Sequence, residues 1–430
     1  MAYAGARCAV ADEPIAELAT SPSPAQFFDR FVAPRRPCVL RAYAASARLG
    51  CVSTTSCAER IIDVVRGALA KKSSTKDDDD DDDDARARVE LRARSFGRQS
   101  SFGRGRERQV RVAAVLDDFE ACAARGTASR FYLSAHTPQD AFCGEPAASL
   151  LTASGSARVP TRPPLLSTLV PATCNLWMGC SAAGTASTKS AASKCDKDSS
   201  GLHHDVHDNL LVMIAGTKTV RLWDPTAAPH LRPAGGAPIR VHANGRVVYA
   251  SNPRVSADGR CYYSEDDDDD DVAGTRTRLD AACRCSGDSA AADDDAVEAL
   301  LQEALDHASA TQQSMDHRPR RRRRRTELPE NFATIDRRAL SRLRIPAARP
   351  VVLHPGDALY LPCGWWHEVT SSGGLHAAFN YWFHPPDAAD FERPYADDFW
   401  VRDWKRRRRE DPVLRRHFFE SDTAGGVARG

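Results

Sequence analysis

At 430 residues the chain is long enough for one large or two small domains, each with a buried core. Its 59 basic and 58 acidic residues nearly cancel, which excludes a global field that would draw in nucleic acid or an anionic membrane. No run of about 18 apolar residues occurs, and the first residues lack a signal-peptide core before Asp12 and Glu13, so no membrane association is expected.

From the N-terminus, Ser23-Pro24 reads as a helix start, and Phe27, Phe28 and Phe31 follow at helical spacing until Pro34 ends the run. Cys38-Val39-Leu40 is a short buried strand. Residues 58–69 make an amphipathic helix with Ile61, Ile62, Val64, Val65 and Leu69 mostly inward. The composition then breaks. Residues 71–109 hold a run of aspartates (77–84) and Arg-, Ser- and Gly-rich sequence with nothing apolar to bury, so a disordered insertion is expected. A calcium loop there would need glycine turns and alternating ligands. A helix at 110–124 around Val115, Leu116 and Phe119 and a strand at 130–134 complete an N-terminal part spanning 13–135.

A Pro-rich approach over 160–171 leads to a strand at 175–177, and residues 180–199, rich in Ala, Ser, Thr and Lys, form a second, flexible insertion. Residues 200–211 are extended. Residues 210–214 and 218–223 then read as two strands joined by an Ala215-Gly216-Thr217 turn. A third insertion, 256–327, carries aspartates at 266–271 and arginines at 320–325. Its bland reading is a solvated loop, and its sharper one a nuclear-localisation or nucleic-acid patch. The core resumes with strands at 350–353, 358–362 and 375–383, the first two separated by the turn residues His354-Pro355-Gly356-Asp357. Residues 390–419 read as a C-terminal helix, with Phe399, Trp400 and Trp404 on its apolar side and 405–409 solvated. Short strands with long connections and helices at both ends predict a mainly β fold, a double-stranded β-helix or jelly roll, as a single domain over 1–430. Its barrel core would span 160–255 and 328–386.

Within the extended stretch alternate side chains share a face, so His203, Asp205, His207 and Asn209 should point one way and His204 the other. His203-x-Asp205 offers two of the three ligands of a 2-His-1-carboxylate facial triad, which leaves positions on Fe(II) open. The third ligand should come from a distant strand. His367 fits, because a histidine behind Trp365-Trp366 and a Gly-Asp-x-Leu-Tyr-Leu-Pro run is a costly way to fill a core. A carboxylate in place of a further imidazole favours oxidation at such a metal. His376 and His384 read as ordinary strand histidines, and His207 as a rim or substrate contact. The thirteen cysteines, odd in number and without a repeating frame, read as reduced thiols in the cytoplasm or nucleus. Cys283-x-Cys285 lacks the second pair that zinc requires, and Cys363 reads as a small buried residue in a bend.

His203-x-Asp205, Asn209, Lys218 and Trp365-Trp366-His367 together resemble the Jumonji-C, cupin-8-like branch of the Fe(II)/2-oxoglutarate oxygenases. Within that branch they resemble the lysyl hydroxylases of developmentally regulated GTP-binding proteins. Asn175-Leu176-Trp177-Met178-Gly179 and Asn380-Tyr381-Trp382-Phe383 resemble its flanking strands, and residues 23–28 and 36–41 its N-terminal start. The likeness covers most of the chain outside the insertions. It implies catalytic metal ligation of Fe(II) by His203, Asp205 and His367, with 2-oxoglutarate as co-substrate and O2. The expected outcome is hydroxylation of a protein side chain, lysine first, with release of succinate and CO2.

The same resemblance places Lys218 on the distal carboxylate of 2-oxoglutarate, with Tyr132 and Ser200 hydrogen-bonding it; the family usually has Thr where Ser200 stands. It places Asn209 and Asn380 beside metal and co-substrate. The implied partner is a protein substrate, a GTP-binding protein by this likeness, and a homodimer is one open arrangement. Two rivals stay open. One is a histone-directed Jumonji demethylase or tail peptidase, although no chromatin-reader or zinc module accompanies the barrel. The other is a non-catalytic cupin-like scaffold.

Overall fold

In the computed structural model, which describes residues 14–47, 49, 60–73, 85–91, 106–134, 141–153, 159–182, 198–260, 328–335 and 350–420, the chain is built on two long strands. These are β9 (Asp208–Trp223) and β14 (Trp366–Phe383). The other strands are β1 (Ala16–Leu18), β2 (Cys38–Leu40), β3 (Arg86–Leu91), β4 (Arg106–Arg111), β5 (Phe131–Ser134), β6 (Pro171–Cys180), β7 (Asp198–Ser199), β8 (His203–His204), β10 (Arg240–Val241), β11 (Val247–Val248), β12 (Val351–Leu353) and β13 (Ala358–Leu361). All but β10 and β11 join one sheet in the order β1-β2-β13-β9-β14-β6-β5-β3-β4, with β12 also on β9 and with β7 and β8 on β14. Pairing is antiparallel except between β1 and β2.

The predicted turn at Ala215-Gly216-Thr217 is not a hairpin. β9 runs straight through it, because β14 pairs with both halves: Phe383 to Ala377 lie opposite 208–215, and Ser372 to Trp366 opposite 217–223. The register slips between Ser372 and Ala377, where Gly373 and Gly374 have φ +89° and +82° and Gly216 has φ +69°. A Cβ at Gly216 would sit 2.6 Å from the His376 Cβ and 2.7 Å from the Leu375 carbonyl. The glycines thus let both strands bend at one place, and the sheet turns a corner into a jelly roll.

Alternation then sorts the side chains. Leu210, Val212, Ile214, Phe379, Tyr381 and Phe383 lie on the outer face, in the core shared with the helices. Met213, Val220, Leu222, Leu353, Leu359, Leu361 and Ala378 line a second, inner cluster. The helices on the outer face include α1 (Pro24–Phe27), α2 (Tyr43–Ser46), α3 (Ile61–Ser73), α4 (Val112–Arg125) and α5 (Ala147–Thr152). A four-residue helix has no stability of its own. Ser23 and Gln26 cap α1 reciprocally, and Phe27, Phe28 and Phe31 bury against the sheet, at about 1.5–3 kcal/mol for each large apolar side chain.

The insertion boundaries need correcting. In the span assigned to a disordered insertion, 71–109, α3 continues to Ser73, and β3 and β4 form a hairpin added to β5, with Ala87, Val89 and Glu90 buried. At the start of the 256–327 insertion, buried Asp258 accepts the Trp400 indole N–H at 2.9 Å and pairs with Arg260. Residues 198–199 of the 180–199 insertion form β7 on β14. The aspartate runs, the arginines at 320–325 and Cys283-x-Cys285 lie outside the described residues. The C-terminal helix is not continuous over 390–419. It comprises α7 (Phe399–Glu410) and α8 (Pro412–Arg415), which runs on as a wider helical turn over Arg416–Glu420, after the four-residue α6 (Ala228–Leu231) earlier in the chain. Asp411 breaks it by capping α8, whose first residue is a proline. No helix among the described residues is long and apolar enough to cross a membrane.

Candidate metal centre

β8 and β14 pair with His203 directly opposite His367, so both rings leave the same face of the sheet, centroids 4.3 Å apart. The strand breaks after β8, and in the irregular step Asp205 turns its carboxylate between the rings. Its Oδ1 lies 3.9 Å from His203 Nε2, and its Oδ2 3.9 Å from His367 Nε2. These separations are too long for hydrogen bonds. The donor atoms of the three residues all lie within 4.8 Å of one another.

Each imidazole has its other nitrogen occupied. His203 Nδ1–H donates to the Gly201 carbonyl at 3.0 Å, and His367 Nδ1–H to the Trp365 carbonyl at 3.0 Å. That fixes the tautomer and leaves each Nε2 lone pair facing the carboxylate. Burial, followed by the nearby His367, pushes His203 down to about 3, so the ring is neutral at physiological pH. Burial acts to raise Asp205, but His367 and His203 outweigh it and hold the carboxyl below its ordinary range. Two imidazoles and one carboxylate, not bonded to each other, are a donor set suited to a divalent transition metal such as Fe(II) or Zn(II). Asn209 Nδ2–H donates to Asp205 Oδ2 at 3.1 Å, while its buried Oδ1 has no hydrogen-bond partner among the described residues.

The other expected residues are distributed as follows. His204 turns away, bonded to the Tyr249 hydroxyl at 2.8 Å and edge-on to Trp366. His207 falls in the irregular stretch 205–207, beside Trp382, which lies opposite Asn209 in register. It stacks on Trp382 and meets His384 edge-on. Lys218 is 3% exposed; its Nζ donates to Ser371 Oγ at 2.8 Å and sits 6.0 Å from the Tyr132 ring centre. Ser371 is four residues beyond His367 on β14, about 13 Å of strand. Among the described residues no carboxylate pairs with Lys218. The Ser200 hydroxyl is engaged, accepting from Val369 N–H at 3.0 Å and donating to the Gly201 carbonyl. Asn380 is buried, opposite Asn175 and Leu211 in register. Cys363 is fully buried, and burial pushes its thiol up to about 12, as befits packing.

One participant escaped the sequence. Phe332 stacks on His203, centroids 4.9 Å apart and planes at 12°, in a strap whose backbone bonds to β8 (His204 N–H to Asn331 O, 3.1 Å; Ala333 N–H to Leu202 O, 2.8 Å). No local pattern signals it, since the residues around Phe332 have neither strand nor helix periodicity.

A family model described as a cupin-like domain matches residues 24–389. The chain belongs to the cupin-like domain family. This cupin-like chain is also similar to the JmjC domain-containing protein 4 of Schizosaccharomyces pombe, with 30% identity over 303 residues, or 55% of this chain. The match spans 59% of that relative's length.

Proposed function

We propose that this chain is an Fe(II)- and 2-oxoglutarate-dependent dioxygenase that hydroxylates a protein side chain, most specifically lysine, in a GTP-binding protein. The observation that carries this reading is the convergence of His203 Nε2, Asp205 carboxylate and His367 Nε2 with both Nδ1 positions already satisfied. When bound, Fe(II) together with 2-oxoglutarate and O2 supplies the oxidising power to convert a C–H bond to C–OH, with succinate and CO2 as the other products.

The chain's own residues perform the rest. His203, Asp205 and His367 would hold the metal on one side and leave its other side to ligands from outside the protein. Asn209 fixes Asp205 by its N–H. Lys218, buried and donating to the Ser371 hydroxyl beside the Tyr132 ring, would pair with the distal carboxylate of 2-oxoglutarate. The inner apolar cluster around Val220, Leu222 and Leu353 would keep water from the reacting centre.

The test is anaerobic Fe(II) and 2-oxoglutarate binding followed by turnover on a panel of lysine peptides, with succinate and peptide mass as readouts. The expected result is succinate release coupled to gain of one oxygen atom on the peptide, lost in His203→Ala. Demethylated product would shift the reading to a demethylase. No iron-dependent turnover with any peptide would leave the non-catalytic scaffold.

A further inference from the structure

We propose that the buried pair Arg35 and Asp208, with Tyr360, is a positioning unit that sets the metal centre by fixing the loop from which His367 springs. This rests on the reading of His203, Asp205 and His367 as metal ligands. Neither member of the pair belongs to the ligand set, and they are 1% and 0% exposed.

The Asp208 carboxylate accepts from four donors. Arg35 contributes both terminal nitrogens, with Nη1 at 2.9 Å from Oδ2 and Nη2 on Oδ1. The Tyr360 hydroxyl donates to Oδ2 at 2.7 Å, and the Cys363 backbone N–H to Oδ1 at 3.0 Å. Burial, then the Asp208 charge, pushes the Tyr360 phenol well up, so it remains a donor. Arg35 also accepts the Trp365 indole N–H on its backbone carbonyl at 3.1 Å. The ion pair thereby pins residue 363 through Asp208, and the main chain of Arg35 pins Trp365.

Two more bonds run from that loop to the ligands. Gly364 N–H donates to the Asp205 carbonyl at 2.9 Å, and the Trp365 carbonyl accepts His367 Nδ1–H at 3.0 Å. Arg35 and Asp208 therefore govern, through Cys363 and Trp365, where two of the three ligand residues stand. Stability alone is a poor account of the pair, because a buried ion pair about breaks even against apolar residues of equal volume. A buried hydrogen-bonded network does, however, specify one backbone arrangement, and outer partners of metal ligands control affinity.

Co(II), read by its visible absorption on the full chain, tests this. In Asp208→Asn, which keeps the volume but loses the charge and an acceptor position, the Co(II) dissociation constant is expected to rise roughly 10–100-fold, with a changed band shape. Tyr360→Phe, whose ring stays 5.2 Å from Phe27, is expected to show a smaller rise in the same direction. The metal-free thermal midpoint, measured in parallel, separates the two roles. A lower midpoint with wild-type affinity and spectrum means the pair is only structural and overturns the proposal. Should Asp208→Asn fail to fold, Tyr360→Phe and the charge-neutral Arg35→Met/Asp208→Leu double variant decide, and wild-type Co(II) binding in both overturns it. Absence of Co(II) binding by the wild-type chain would instead remove the metal reading, and this inference with it.

Discussion

A single buried ammonium shows what individual residues contribute here. Lys218 has a hydroxyl and a ring for company but no carboxylate among the described residues. Burying such a charge opposes folding, and pairing it with an anion recovers the cost. Lys218→Met is therefore expected to leave the ligand-free chain at least as stable in thermal melts while weakening 2-oxoglutarate binding roughly 10–100-fold, the worth of a charge-assisted hydrogen bond of about 1.5–3 kcal/mol. A loss of apo stability with unchanged 2-oxoglutarate affinity in calorimetric titration would refute that role. At the proposed ligands, Asp205→Ala is expected to abolish Fe(II) retention in equilibrium dialysis, because it removes the carboxylate that lies between the two Nε2 atoms.

At the level of elements, the centre depends on two pieces of backbone that carry no chemistry. Gly364, at φ +77°, lies where a Cβ would approach the Gly245 carbonyl oxygen to 1.9 Å. Gly364→Ala combines a left-handed backbone with a collision between two main chains, so a loss of roughly 3 kcal/mol or more is expected in denaturant unfolding. A variant within about 0.5 kcal/mol of wild type would mean the loop relaxes freely. The strap at 328–335 holds Phe332 flat against His203. Phe332→Ala is expected to weaken Co(II) binding about 2–10-fold, since an aromatic pair is worth about 0.5–1.5 kcal/mol; unchanged affinity would show that the β8–β14 pairing alone aims the ring.

For the whole molecule, buried neutral histidines tie stability to pH. Burial lowers His203 and His207 to about 3 and His204 to about 4, and His384 well below its ordinary 6.5. Below 6.5 the unfolded chain takes up protons that the folded chain refuses. Stability from these groups is thus present above 6.5 and lost as pH falls from there toward 4 and 3. The metal-free chain is expected to lose up to about 1.4 kcal/mol per pH unit for each such ring across that window. A flat denaturation midpoint between about pH 6.5 and 4.5 would show that the rings charge without unfolding.

Residue identities and their near neighbours alone determined the donor types. They made His203-x-Asp205 and His367 legible as a candidate donor set, Ser23-Pro24 as a helix start, Cys38 to Leu40 as a strand, and Val115, Leu116 and Phe119 as one helical face. Those signals are local: caps, periodicity and side-chain chemistry are carried within a turn or two of chain. Tertiary structure alone decided the rest. Gly216 reads as a hairpin turn until β14 is seen pairing with both sides of it. The arginine-rich segments at 86–91 and 106–111 read as solvated until they are paired with each other and with β5. Asp208, one position before Asn209, carries no sequence mark of its partner Arg35, 173 residues away. Pairing partners so far apart leave no periodic trace in either segment, and only the folded sheet brings them within hydrogen-bond reach.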